Sequence, residues 1–244
     1  MVFNENETEL MVKGIDRLGN FIRDLNLSPS IRLINNFAFA SKKSISDAKN
    51  LIINMVKITG GDYELAASKV SSKEFADIIH QFRFFPIENA KKINNRLAIY
   101  YGEPGGGKTT EALKEADNNC IICNSSLLPC DLFEDFKLQD GKGNLIPSPL
   151  MEAMKQGKKI VLDEISTLSL DCLRAIQGIC DNKEYFNYKG ETIHIKEGFK
   201  IIGTMNLFVN GSCYPIPEPL MDRICFDGLK EFNLSAKKLL EFAF

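Results

Sequence analysis

Residues 102–109 read Gly-Glu-Pro-Gly-Gly-Gly-Lys-Thr, the spacing G-x-x-x-x-G-K-[ST] of a loop that cradles phosphates. Gly102, Gly105, Gly106 and Gly107 let the backbone take positive φ and turn its N–H groups onto an anion with no Cβ in the way. Glu103 and Pro104 occupy the variable positions. Lys108 supplies a point charge to the β and γ phosphates, and Thr109 supplies a hydroxyl to Mg2+. Thr110 begins the helix that leaves the loop, and a helix N-terminus favours negative charge. The apolar run 96–101 before the loop and the helical run 110–116 after it form the strand–loop–helix setting that such a loop needs. A Gly-rich turn that merely happens to end in Lys-Thr does not account for that setting.

About fifty residues on, Lys159-Ile160-Val161-Leu162 reads as a strand buried on both faces, and it ends in Asp163-Glu164. Open α/β sheets place ligands at the carboxyl ends of their strands. Asp163 is therefore expected beside Mg2+, directly or through water. Glu164 is expected to polarise the attacking water as general base. An acidic strand end that caps the next helix explains one carboxylate, but not its pairing with the upstream loop. Together the two segments imply a nucleoside triphosphatase that uses Mg2+.

The remaining composition is ordinary. Of 244 residues, 44% are apolar and 25% charged, and the net charge of −2 offers no basic excess for nucleic acid or membrane surfaces. No apolar stretch approaches a membrane span, and the N-terminus is polar and acidic rather than signal-like, so cytoplasmic residence is expected. Seven cysteines, an odd number, suit reduced thiols. Cys120-Ile121-Ile122-Cys123 has C-x-x-C spacing but no second pair to complete a zinc site, so small core residues are the expectation.

Residues 1–92 carry helical patterns and no strand signal. Glu9–Leu25 repeats apolar residues near a 3.6-residue period, Ser46–Ile58 forms a second helix that stops at Gly60-Gly61, and Asp62 and Ser71 are expected to cap two short helices. Ser71-x-x-Glu74 has capping-box form, and Pro86 ends the last helix. From 93 to 232 strands and helices alternate, predicting an α/β fold with a parallel sheet flanked by helices. The candidate strands are 96–101, 119–124, 159–163, 200–205 and 224–227. Hairpins are expected over 138–146, turning at Asp140-Gly141, and over 185–195, turning at Lys189-Gly190.

Three further segments follow in order. They are the helical Ser148–Gly157, the strand Ile201-Ile202-Gly203-Thr204-Met205-Asn206, and a short helix Pro217–Arg223. With the two phosphate motifs, this series resembles the AAA+ ATPases, and within them the branch of MoxR, McrB and the dynein and midasin modules. The resemblance covers about residues 96–232. It implies a P-loop NTPase fold and ATP hydrolysis. Asn206 would be the sensor residue near the γ-phosphate, and Arg223 an arginine finger reaching the ATP of a neighbouring subunit. It also implies a homo-oligomeric ring, hexameric by that analogy, with the two hairpins as inserts that can face its pore. The work would be remodelling of a macromolecular partner, protein in the first instance. A DNA-handling motor or loader resembling McrB is the alternative. Only 233–244 remain for the C-terminal lid of such proteins, so little or no lid is expected and no second sensor residue is named. A GTPase is disfavoured, because Asn182-Lys183-Glu184-Tyr185 has tyrosine where base reading needs aspartate.

Overall fold

Helical periodicity gives way to strand–helix alternation near residue 93, and the chain folds accordingly in this computed structural model, which describes residues 5–83, 96–139, 142–181, 183–206 and 215–232. The helices are α1 (Glu5–Arg23), α2 (Ile31–Lys43), α3 (Ile45–Thr59), α4 (Tyr63–Lys69), α5 (Lys73–Arg83), α6 (Lys108–Glu115), α7 (Pro149–Gln156), α8 (Leu170–Cys180) and α9 (Glu218–Met221). The strands are β1 (Leu97–Gly102), β2 (Cys120–Ile122), β3 (Glu134–Gln139), β4 (Lys142–Pro147), β5 (Lys159–Asp163), β6 (Tyr185–Tyr188), β7 (Glu191–His194), β8 (Lys200–Asn206) and β9 (Ile224–Phe232).

Two compact units emerge, the first made of Met1–Ile93 with Ile216–Asp222 and the second of Asn94–Pro215 with Arg223–Phe244. In the helical unit, side-chain caps set the helix starts. Ser30, Ser44 and Asp62 accept the N–H groups of Leu33, Asp47 and Leu65, each satisfying a donor that has no partner inside its helix. Gly60, at φ 73°, ends α3. The sequence reading has no helix over Ile31–Lys43, yet Leu33, Phe37, Ala38 and Ala40 of that helix are buried. The cap expected at Ser71 is displaced by one residue. Ser72 Oγ accepts the Phe75 N–H at 3.2 Å, because Ser71 is already engaged, its hydroxyl donating to the Ala67 carbonyl at the end of α4. The core is aromatic, with Phe75 packed on Phe21 and Phe37 at ring separations of 4.8 and 5.6 Å and Phe37 on Phe82 at 5.1 Å. Such pairs add about 0.5–1.5 kcal/mol each beyond their buried area.

The sequence reading places Pro217–Arg223 in the ATPase core. The residues up to Asp222 belong instead to the helical unit. Ile216 N–H donates to the Ile58 carbonyl, and Ser28 donates from its N–H and its hydroxyl to the Glu218 carboxylate at 3.1 and 2.6 Å. Ser30 Oγ donates to Asp222 at 2.5 Å.

The second unit is a five-stranded, wholly parallel sheet in the order β2-β5-β8-β1-β9, flanked by helices. Ala98, Tyr100, Val161 and Ile202 pack from one sheet face against Ala112 and Ala116 of α6 and its end. The last strand runs to Phe232, five residues beyond the expected end. The first hairpin is also longer than expected, since β3 and β4 pair from Glu134↔Pro147 to Gln139↔Lys142. Its turn at Asp140-Gly141 lies outside the described residues, as do residues 233–244, over which little or no lid is expected. The second hairpin, β6–β7, turns at Lys189 and Gly190, both at positive φ (47° and 84°) as a tight two-residue turn requires. No helix among the described residues is long and apolar enough to cross a membrane.

Candidate functional site

The neighbours β5, β8 and β1 end side by side, so Asp163, Asn206 and Gly102 lie together at the carboxyl end of the sheet. That end holds a cavity of about 730 Å3 whose walls include Gly105, Lys108, Thr109, Glu164, Thr204 and Asn206. Pro104, Gly107 and Thr110 also face it. Thus Lys108, Thr109, Glu164 and Asn206 share one concavity, whereas Asp163 is not among its lining residues and touches it through Thr109 and Thr204. Gly102, Glu103 and Gly106 form the body of the loop rather than its lining. Gly102, Gly105 and Gly107 adopt φ of 145°, 78° and 84°. The Lys108 ammonium is 7% exposed as a residue and donates to the carbonyls of Gly102 and Glu103 at 3.2 and 2.7 Å.

At the centre of the site, Thr109 Oγ1 donates to Asp163 Oδ1 at 2.7 Å, joining the loop to the acidic strand end. Asp163 Oδ1 also receives the Thr204 hydroxyl at 2.6 Å, and the same Thr204 oxygen accepts the Glu164 N–H at 3.0 Å. Glu164 has φ 57° and ψ 44°, left-handed values that cost a non-glycine residue ~1–3 kcal/mol and persist only where neighbours enforce them. The strand-end reversal at Glu164 leaves its side chain exposed on the cavity wall while the chain turns into the short 3-10 segment Ile165–Thr167. Thr204 is the cavity residue, bonded to both Asp163 and Glu164, that motif reading missed. Its signal was available, since it lies two residues before Asn206 on the same strand face.

A hydroxyl and a carboxylate oxygen in contact, facing a phosphate loop, are the donor set of a Mg2+ ion that keeps waters and takes its other ligands from phosphates. No group of three or more His, Cys, Asp or Glu able to hold a metal occurs among the described residues, so the donors fit a nucleotide-bound Mg2+ and not a closed protein cage. Cys123 is buried, and burial pushes its thiol up to about 12, as suits an inert core residue.

Arg223 is not among the residues lining this cavity. Its Nε pairs with Asp181 Oδ1 at 2.8 Å, with the arginine side chain 15% exposed. Asp181 is in turn fixed by Arg96, whose guanidinium donates to the carbonyls of Ile179, Asp181 and Lys183 at 3.3, 2.7 and 2.8 Å and so closes the end of α8.

Residues 98–224 match the family described as AAA domain, dynein-related subfamily, over half of the chain. The chain belongs to that family. Membership places this AAA domain in the branch that its motifs resemble. Two uncharacterised staphylococcal proteins are similar to it. That of Staphylococcus saprophyticus is 27% identical, and that of Staphylococcus epidermidis 28%, over 141 residues that make up 53% of this chain and 53% of each relative. The AAA domain chain therefore spans about half the length of the curated relatives it matches. A crystal structure of a candidate ATPase from Cytophaga hutchinsonii aligns with 97% of this chain and 57% of that one, at 15% identity and a TM-score of 0.45.

Proposed function

We propose that the domain binds Mg-ATP at the carboxyl ends of β1, β5 and β8 and hydrolyses it. The observation that carries this reading is the single hydrogen-bonded series Thr109–Asp163–Thr204–Glu164, which links the phosphate loop to the acidic strand end at one cavity. The loop N–H groups and Lys108 would hold the phosphates, and Thr109 and Asp163 would hold Mg2+. Bound there, the ion would neutralise the charge that develops on the transferred phosphoryl group. Glu164 would take the proton of the attacking water, and Asn206, on the same wall, would orient that water.

Arg223 is assigned to the neighbouring subunit's ATP in a homo-oligomeric ring. In this role it must exchange Asp181 for a phosphate oxygen, and the donor geometry of the guanidinium suits both. The partner to be remodelled is taken as a protein. Phe136, Leu138 and Leu145 share one face of the β3–β4 hairpin and are 62–73% exposed, an apolar surface suited to protein and not to phosphates.

The test is ATP binding and steady-state hydrolysis by the parent chain and by Lys108→Ala. The parent should hydrolyse ATP only with Mg2+, and the variant should neither bind nor hydrolyse it. Equal binding by Lys108→Ala would remove the loop from the mechanism.

A further inference from the structure

The edge strand β9 touches the phosphate loop from behind. Its register with β1 sets Gly102 beside Phe232 and Tyr100 beside Lys230. A Cβ on Gly102 would stand 2.0 Å from the Phe232 carbonyl oxygen, and one on Gly106 would stand 2.9 Å from the same oxygen. Two of the loop's glycines are thus demanded by the end of β9, quite apart from any phosphate. The Tyr100 and Phe232 rings pack at 5.2 Å over the same contact.

The other end of β9's hold lies on α6, the helix that leaves the loop. Lys230 Nζ donates to Glu115 Oε1 at 2.8 Å and to the Tyr100 hydroxyl at 2.5 Å, and Tyr100 donates to the same carboxylate. Lys159 of β5 adds a third, longer contact to Glu115 at 3.4 Å. Burial would raise the Glu115 carboxyl, but the hydrogen bonds from Lys230 and Tyr100 outweigh it and hold it down at about 2. Glu115 is the last residue of α6, and Lys108 and Thr109 are its first two. A helix this short is a rigid lever of about 12 Å, at 1.5 Å per residue. Displacing its far end displaces the lysine and the threonine that face the cavity.

We propose that β9 is a strut for the phosphate loop, and that Lys230 is a positioning residue for nucleotide binding although it lies outside the nucleotide cavity. The Phe232 carbonyl fixes the loop at Gly102 and Gly106, and the Lys230–Glu115–Tyr100 contact fixes the far end of α6. Loss of Lys230 leaves Glu115 without its nearest cation and lets α6 shift along its axis, which weakens the phosphate contacts without removing any group that makes them. This inference rests on the nucleotide-site reading above.

The test is the affinity of the full chain for a fluorescent ATP analogue in Mg2+, together with thermal melting, for the parent, Lys230→Met and Lys230→Arg. The expected result is a Kd raised about threefold or more in Lys230→Met, with at least half of that loss recovered in Lys230→Arg, whose donors can still reach the carboxylate. A residue that only stabilises the fold would lower Tm and leave the Kd of the folded protein unmoved, so a smaller change in Kd overturns the proposal whatever happens to Tm. Failure of arginine to recover affinity overturns it too, because the carboxylate contact would then not be the cause. Should Lys230→Met not fold, Glu115→Gln weakens the same contact from the other side, and the same threefold criterion applies. A parent chain that does not bind the analogue refutes the nucleotide reading itself and this inference with it, which distinguishes the two failures.

Discussion

Thr204 and Glu164 meet through one oxygen: the threonine hydroxyl accepts the Glu164 N–H at 3.0 Å while donating its own proton to Asp163 at 2.6 Å. A β8 side chain thereby holds both the Asp163 carboxylate and the left-handed backbone that presents the proposed base. Replacing Thr204 by valine keeps the shape and deletes both bonds. The Glu164 N–H would lose its partner while Asp163 Oδ1 keeps only the Thr109 bond, a loss of about 1–3 kcal/mol in all, part of which should fall on the orientation of Glu164. Thr204→Val is expected to lower kcat about tenfold or more with a smaller change in KM, and Thr204→Ser to recover most of it. A valine variant with parental kcat would make Thr204 a core residue only.

Glu164→Gln tests the proposed base more directly. The amide keeps the side chain's volume and its place on the cavity wall but cannot accept the water's proton. Binding of ATP should be preserved, and turnover should fall by about 10²–10⁴, the usual worth of a positioned acid–base group. Single-turnover measurements with bound ATP read this without interference from product release. Unchanged turnover would dismiss Glu164 from the chemistry.

Arg223 can be tested by mixing. Arg223→Ala should bind ATP and hydrolyse it poorly, while Lys108→Ala should do neither. If each subunit lends its arginine to the next, mixtures of the two variants contain interfaces that pair an intact pocket with an intact finger, and some activity returns. Absence of rescue at every ratio, with assembly confirmed by mass, would confine Arg223 to its pairing with Asp181. Asp181→Asn loosens that pairing, and this variant, once assembled, should hydrolyse ATP faster than the parent if breaking the pair limits the rate.

The depressed Glu115 carboxyl makes a prediction about acid. Folded Glu115 titrates at about 2 against an ordinary value of 4.5. Between those values the unfolded chain binds more protons at this position than the folded one, so stability rises with pH across that window. The contribution is complete above about pH 4.5 and lost as pH falls towards 2. Urea midpoints measured from pH 5 to 3 should fall less steeply in Glu115→Gln than in the parent. Parallel profiles would assign acid sensitivity to other carboxylates.

What the sequence discloses and what it hides divide along the range of the interactions. Residues 102–109 and 159–164 were legible because each motif folds locally and its chemistry is written in consecutive residues. The five sheet strands were legible because each is an apolar run bounded by a helix or a turn. Thr204 escaped notice because its role depends on a partner 41 residues away on a neighbouring strand. The same holds for Asp181, which claims Arg223 from 42 residues off. Helix α2 was hidden by its own composition: Asn35-Asn36 and Ser41 interrupt the apolar pattern, and tertiary burial of Phe37 decides the matter. The one-residue error at Ser71 and Ser72 arose because two adjacent serines offer equal caps, and only the end of α4 breaks the tie. The full length of β9 was unreadable because Asp227-Gly228 looks like a turn, whereas the pairing with β1 carries the strand through a register shift between Leu97 and Ile99.

The membership of Ile216–Asp222 in the helical unit has a practical consequence for anyone dissecting the protein. The polypeptide enters that unit twice, first with residues 1–93 and again with a seven-residue visit that ends one residue before Arg223. A clone beginning at residue 94 would therefore be no minimal catalytic fragment. It would orphan Glu218 and Asp222, whose hydroxyl donors Ser28 and Ser30 are encoded upstream, and leave Ile216 without the carbonyl of Ile58. Genetically the helices look like a detachable prefix; physically they are one half of a clasp whose other half is threaded through the ATPase reading frame.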